Sequence, residues 1–183
     1  MQPTIVDMTT LSQAQRLEAA TILRTALAWA DDAYGAPGEA EAEVAATIES
    51  EDRHGLAALE GERVLGWIGA IESYSHAWEL HPLVVMPGRQ RQGVGGRLTA
   101  ALEAKAAAAG VLTIFLGTDD VAGGTSLHGR ELFPGLLGAA AQIAPRGGHP
   151  FTFYQRQGYE VSGVIPHANG FGRPDILMAK RIG

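Results

Sequence analysis

The sequence predicts a mixed α/β fold, with helices packed on a partly parallel sheet. Three observations carry that expectation. Helical and strand-like periodicities alternate along the chain. One helical segment is bracketed by two apolar, β-prone runs, Leu80 to Met86 and Leu112 to Leu116, and such a β-α-β unit is expected to cross over right-handed. Glycine and proline mark the turns, as at Gly61-Glu62 and Pro87-Gly88.

In chain order, Thr4-Ile5-Val6 reads as a short first strand. Thr10 or Ser12 then caps a helix through Leu17, Ala20, Leu23 and Leu27 to about Trp29. Ala30 to Gly38 is a loop by composition, and a second helix rich in Ala and Glu covers about Glu39 to Glu51. Gly55 to Glu60 and Arg63 to Ile71 form a hairpin turning at Gly61-Glu62. After the Leu80–Met86 run, Val94, Leu98, Ala101, Leu102 and Lys105 fall at helical spacing, with Gly110 as the stop. The LTIFL strand, Leu112 to Leu116, is expected to end at Gly117-Thr118-Asp119-Asp120. Leu132, Leu136, Leu137, Ala140 and Ile143 suggest a helix interrupted near Pro134-Gly135. Pro150 suits the first turn of a helix closed by Gly158, and Tyr159 to Ile165 and Ile176 to Lys180 read as the last strands.

The bulk properties limit the function classes. With 183 residues and 46% hydrophobic composition, the chain is expected to be one domain over residues 1–183 with a sizeable core. Without cysteine it has no disulfide, thiolate metal site or cysteine nucleophile. No metal-ligand spacing is evident among the six histidines. A net charge of -6 argues against nonspecific nucleic-acid binding and mildly favours a cationic partner. No signal-peptide pattern and no membrane-length apolar run are present, so a cytoplasmic, soluble protein is expected.

The chemistry converges on the stretch around Trp78 to Gly110. Arg89-Gln90-Arg91-Gln92-Gly93-Val94-Gly95-Gly96 joins a strand to a helix N-terminus, where loop N–H groups and the helix dipole favour an anion. It is neither G-x-G-x-x-G nor a P-loop. Pro82 cannot donate a ladder hydrogen bond, so it belongs at a bulge, an edge or a strand end. A bulge there would release the Leu83 amide to polarise a thioester carbonyl and stabilise the developing oxyanion. Glu79 and His81 lie two apart on one strand face. They supply a carboxylate for a substrate ammonium and a possible proton acceptor, or they are surface residues beside a strand end. Tyr154, on the helix after Pro150, could protonate a leaving thiolate or pack in the core. Asp119 and Asp120 fall at the carboxyl edge of the sheet, where ligands bind, although such a pair also makes turns. Trp29 and Tyr74 could wall a sugar-sized pocket or be core.

Gln90-x-x-Gly93-x-Gly95 resembles the acyl-CoA pyrophosphate loop of the GNAT N-acetyltransferase superfamily. WELHPLVV, FLGTDD, the TSL that follows, HPFTFYQRQGY and VSGVIPHANGFGRPDILMAKRI look like the aminoglycoside N-acetyltransferases that modify the 6′-amine. The resemblance covers about Val64 to Ile182 and is weaker over the N-terminal helices, where Trp29 is the main match. It implies a GNAT-like fold with a splayed central strand pair. It also implies acetyl-CoA as donor, an aminoglycoside as acceptor, direct transfer without an acetyl-enzyme, and a homodimer. By position, Leu83, Val84 and Val85 would hold the pantetheine arm, and Arg91, Gln92, Gly93, Val94, Gly95 and Gly96 would cradle the pyrophosphate. Glu79 and His81 would lie near the amine and thioester, and Tyr154 would meet the coenzyme sulfur. Trp29, Tyr74 and Asp119 would line the drug pocket, with Asp120 beside them. Ala30 departs from the pattern, which leads one to expect proline after Trp29. Two other readings stay open: a GNAT enzyme acting on a polyamine or peptide, and a CoA-binding module without catalysis.

Overall fold

A β-hairpin with a continuous buried run in each strand, Arg53–Glu60 (β2) and Arg63–Tyr74 (β3), is the platform on which the predicted site is built. The computed structural model describes residues 2–30 and 33–183; Asp31 and Asp32, expected in the loop after the first helix, lie outside the described residues, as does Met1. The chain falls into two compact units, Met1–Ile114 with Ile182–Gly183, and Phe115–Arg181.

In the first unit, β1 (Thr4–Asp7) pairs antiparallel with β2, β2 with β3, and β3 with β4 (Ala77–Val85). The strand that follows, β5 (Thr113–Asp119), begins in this unit and runs into the second. Helix α1 (Gln13–Leu27) starts where Ser12 accepts a hydrogen bond from the Gln15 amide and Gln15 answers at the Ser12 amide. This capping box satisfies two otherwise unpaired donors, and Ser12→Ala would cost about 1 kcal/mol. Of the two expected caps, Ser12 is the one used, and Thr10 instead closes a short 3₁₀ turn.

Helix α1 and α2 (Glu39–Glu49) bury Ala19, Ala20, Ile22, Leu23, Ala40 and Val44 against Ala57, Trp67 and Val84 of the sheet. The Trp67 indole, 0% exposed, donates to the Ala19 carbonyl at 3.0 Å, so burial of the ring strands no polar atom. Helix α3 (Val94–Ala108) contacts the same strands and takes the opposite face with Val94, Leu98, Leu102 and Ala106. Leu98 is fully buried, and truncation to alanine there would cost about 2–5 kcal/mol.

The second unit orders its strands β5, β7 (Asp175–Arg181), β6 (Glu160–Ile165), with β6 and β7 antiparallel. Strand β5 is longer than LTIFL suggested and runs on through Gly117, Thr118 and Asp119. Gly117 permits this, because a Cβ there would stand 2.5 Å from an Asp175 carboxylate oxygen. The expected helix around Leu132 to Ile143 is reduced to α4 (Leu136–Ala141). Gly135, at φ 107, turns the chain into it, and Leu132 is buried outside it in a small core with Leu127, Ala140 and Val164. Helix α5 (Phe151–Arg156) begins after Pro150, and Gly158 at φ 88 follows its end.

Candidate active site

The pairing of β4 with β3 slips twice, between Ile71 and Tyr74 and again between Ile68 and Ala70. At the second slip Ile68 faces Leu83 and Ala70 faces Leu80, so His81 and Pro82 together oppose the single residue Gly69. This is a bulge at the position Pro82 predicts. It changes which residues share a face. Before it, Glu79 and His81 point to the α1–α2 side, where His81 meets Glu43; after it, Val84 packs in that core, and Leu83 and Val85 turn to the other face. The Met86 amide donates to the Leu65 carbonyl at 2.8 Å. By antiparallel alternation the Leu83 amide then points away from β3.

The loop after β4 is drawn tight by its own glutamines. Gln90 donates to the Val85 carbonyl at 3.2 Å, and Gln92 donates to the Gly88 carbonyl at 3.1 Å. Arg91 (φ 57) and Gly93 (φ 84) both take left-handed backbone, and Gly93 is the N-cap of α3 with no side-chain cap. The first intrahelical bond runs from the Arg97 amide to the Gly93 carbonyl at 3.1 Å. The Val94, Gly95 and Gly96 amides therefore have no partner within the helix and point out of its positive end. A Cβ on Gly93 would meet nothing within 4 Å, so the surface before these amides is open. The donor set fits a phosphate or pyrophosphate group.

Glu79 accepts a hydrogen bond from the Ser73 hydroxyl at 3.3 Å. His81, 41% exposed at its side chain, faces the Tyr34 hydroxyl at 3.0 Å and a Glu43 carboxylate oxygen at 3.8 Å. Glu43 in turn pairs with Arg53 at 2.7 Å. Trp29 (46% exposed) and Tyr74 (68% exposed) are too open for core residues and present aromatic surface.

In the second unit the two adjacent aspartates have separate fates. Asp120 is 0% exposed; its carboxylate accepts from the Gly124 amide (2.8 Å), the Thr125 amide (2.9 Å) and the Thr125 hydroxyl (2.6 Å). The loop it holds uses both oxygens, which leaves it no open face for a ligand, unlike the expectation that it stands beside the drug. Asp119 is half-buried, and its carboxylate accepts from the Asn169 side chain. Its backbone carbonyl takes a hydrogen bond from His149 Nε2 at 3.0 Å, while His149 Nδ1 accepts the Phe151 amide at 3.1 Å. Burial holds His149 below its ordinary pKa, against the opposing pull of that bond and the nearby aspartates. Tyr154 is 8% exposed and packs edge-on against Phe153 and Tyr159. Burial pushes its hydroxyl above the usual phenol range, so it stays protonated at neutral pH.

The profile of the Acetyltransferase (GNAT) family matches residues 17–125, which include the bulged strand, the glycine loop and α3. The chain belongs to the GNAT acetyltransferases. A solved aminoglycoside 6'-N-acetyltransferase complexed with coenzyme A is 36% identical, with a TM-score of 0.89 over 98% of this chain and 97% of that one. The aminoglycoside 6'-N-acetyltransferase from Enterococcus faecium is 35% identical, with a TM-score of 0.87 over 98% and 97% of the two chains. An aminoglycoside 6'-acetyltransferase type Ii is 34% identical, with a TM-score of 0.74 over 100% and 98%. A search of curated protein sequences finds no match.

Within this GNAT acetyltransferase, sequence reasoning missed Tyr34, Glu43, Arg53, His149 and Asn169. Each reaches its partner through tertiary contact; Tyr34 and His81 are 47 positions apart and Asn169 and Asp119 are 50 apart, so no local spacing signals them. A cavity of about 540 Å³ between α4 and β6, lined by Leu137, Ile143, Tyr159 and Val161, borders none of the sequence-predicted residues. Among the described residues no helix is long and apolar enough to cross a membrane, and no group of three or more His, Asp or Glu could hold a metal.

Proposed function

We propose that this protein is an aminoglycoside 6′-N-acetyltransferase that moves the acetyl group of acetyl-CoA directly to the 6′-amine of the drug in a ternary complex, and so confers resistance. The observation that carries the reading is the β4–α3 junction. A bulge at His81-Pro82 precedes Leu83, whose amide points away from β3 by strand alternation, and eleven residues later an uncapped helix opens on glycine amides. Three solved proteins at 34–36% identity over nearly the whole chain, named for that activity, support the choice of acceptor.

Acetyl-CoA supplies an acetyl group activated as a thioester. The chain's own residues bind, orient and move protons around it. Leu83, Val84 and Val85 align the pantetheine arm, and the Leu83 amide donates to the acetyl carbonyl oxygen, where negative charge develops. Arg91, Gln92 and the amides of Gly93 to Gly96 hold the pyrophosphate. An amine is largely protonated near neutral pH and must lose a proton to attack; Glu79 takes it, directly or through a water, with His81 beside it. Trp29 and Tyr74 offer aromatic faces to the sugar rings. Asp119 attracts a drug ammonium, Asp120 shapes the loop that follows, and Tyr154 supplies the leaving thiolate with a proton. The reading includes a cytoplasmic homodimer.

Purified protein incubated with acetyl-CoA and a panel of aminoglycosides, polyamines and peptides, with free thiol followed, tests this reading. Thiol release with aminoglycosides and acetylation mapped to the 6′-amine are expected, together with raised drug tolerance in a susceptible bacterium. Release only with polyamines or peptides would overturn the choice of acceptor. Sedimentation velocity checks the dimer.

A further inference from the structure

The connection between α1 and α2 brings the Tyr34 side chain to β4. Tyr34 carries its hydroxyl to within 3.0 Å of His81 Nε2. Its backbone is left-handed, φ 60, a conformation bulky residues seldom adopt and one that persists where surrounding contacts hold it. The far end of the connection is anchored at α2, where the Ala36 amide donates to a Glu39 carboxylate oxygen at 3.0 Å. A Glu43 carboxylate oxygen lies 3.8 Å from the same Nε2, beyond hydrogen-bond distance, and Arg53 holds that oxygen at 2.7 Å.

The phenol is able to be the donor of the Tyr34–His81 bond. Burial first, and the charge of Glu43 next, push the Tyr34 hydroxyl up to about 12, so it keeps its proton at neutral pH. With the phenol as donor, Nε2 is the acceptor. A neutral ring that accepts at Nε2 carries its own proton on Nδ1. The other charged groups near the ring are Glu43, whose carboxylate Arg53 engages, and Glu79 on the same strand face.

We propose that Tyr34 is a positioning residue for acetyl transfer: its hydroxyl holds His81 in the Nδ1–H tautomer, which makes the imidazole a hydrogen-bond donor toward the acceptor and leaves proton removal to Glu79. The inference rests on the reading of β4 as the reacting strand. It assigns His81 the opposite hydrogen-bonding role from a general base, and it makes Tyr34, with the Glu43–Arg53 pair beside it, part of the machinery that orients the amine.

The test is Tyr34→Phe, which keeps the ring and removes the hydroxyl. Nitrogen-15 NMR of the histidine rings, with His81 assigned by its loss in His81→Ala, reads the tautomer directly at a pH where the ring is neutral. The wild type is expected to show Nδ1 protonated, and Tyr34→Phe to shift toward Nε2–H. kcat/KM for a good aminoglycoside should fall about three- to tenfold, the effect of one hydrogen bond, with acetyl-CoA affinity unchanged. The double variant should be no slower than His81→Ala alone. A wild-type His81 protonated on Nε2, or losses that multiply in the double variant, would overturn the proposal. If His81→Ala is impaired while Tyr34→Phe keeps wild-type kcat/KM, the role of Tyr34 fails and the strand reading stands. Absence of thiol release with every aminoglycoside is the separate failure of the proposed function.

Discussion

Gly69 on β3 and His81 on β4 face each other across the bulge, and the place a side chain on Gly69 would take is filled by the His81 carbonyl oxygen. Gly66 stands in the same relation to Val84, whose carbonyl oxygen would lie 2.5 Å from an added Cβ. The two glycines let β4 approach β3 closely on either side of its irregular step. In Gly69→Ala, backbone rather than a flexible side chain must yield, at a cost of about 1–3 kcal/mol. Thermal denaturation should show a fall of about 2–4 °C per kcal/mol. Because the displaced atoms belong to His81 and Pro82, kcat/KM should fall further than the loss of folded protein explains. Full activity in the folded fraction would show that the bulge does not set the reacting geometry.

Gly95→Asp probes the α3 N-terminus. The new carboxylate would stand among amides that have no intrahelical partner. A carboxylate in the first turn suits the helix itself, contributing about 0.3–1 kcal/mol, so the fold should tolerate it. The same charge repels a pyrophosphate. Calorimetry should therefore show at least about a tenfold weaker acetyl-CoA complex, equivalent to about 1.4 kcal/mol, in a protein of near-normal melting temperature. Unchanged affinity would refute the placement.

Asp119 and Asp120 should part company when each is changed to Asn. In Asp120→Asn a buried acceptor of three hydrogen bonds becomes partly a donor, and bonds to charged groups contribute about 1.5–3 kcal/mol each. Its effect should be on stability, read as a lower urea midpoint. Asp119→Asn should instead weaken drug binding by about tenfold or more and spare acetyl-CoA, with the drug complex also weakened by salt. A loss that falls on the coenzyme for Asp119→Asn would sink its assignment to the acceptor.

Tyr154→Phe removes one hydroxyl from a ring that stays packed against Phe153 and Tyr159. General acid catalysis contributes about 10²–10⁴-fold. A thiol of pKa about 8.5 is a fair leaving group near neutral pH, so the loss in kcat should fall toward the lower end, at unchanged coenzyme affinity. Turnover equal to wild type would leave Tyr154 a packing residue.

His149 makes the second unit sensitive to mild acid. Its neutral ring donates at Nε2 to Asp119 and accepts at Nδ1 from Phe151, at the start of α5. Protonation would set an Nδ1–H against the Phe151 N–H. The folded pKa is lowered, so the unfolded chain binds the proton more readily. The stabilisation is complete above the unfolded value of about 6.5 and is lost as pH falls from there through the folded value. An NMR titration should place His149 below 6.5, and the melting temperature should decline over the same range. A midpoint at or above 6.5 contradicts the arrangement.

The strand–loop–helix at the centre was legible in the sequence because its signals are local. Helical spacing from Val94 to Lys105, the glycines before it and a proline inside a β-prone run each act through the backbone of their own neighbourhood. Tertiary structure decided what depends on register and on distant partners. The bulge turns Leu83 and Val85 to the face opposite His81, which strict alternation from Glu79 onward does not reveal. Asp119 and Asp120 are chemically identical neighbours, and only the fold separates them, by turning one carboxylate into a loop whose amides surround it and leaving the other at a strand end. Tyr34 reached His81 through a left-handed turn in a segment that composition described only as a loop. Local chemistry wrote the elements; the pairing of residues far apart in the chain, which depends on how buried faces fit, chose which side chains meet.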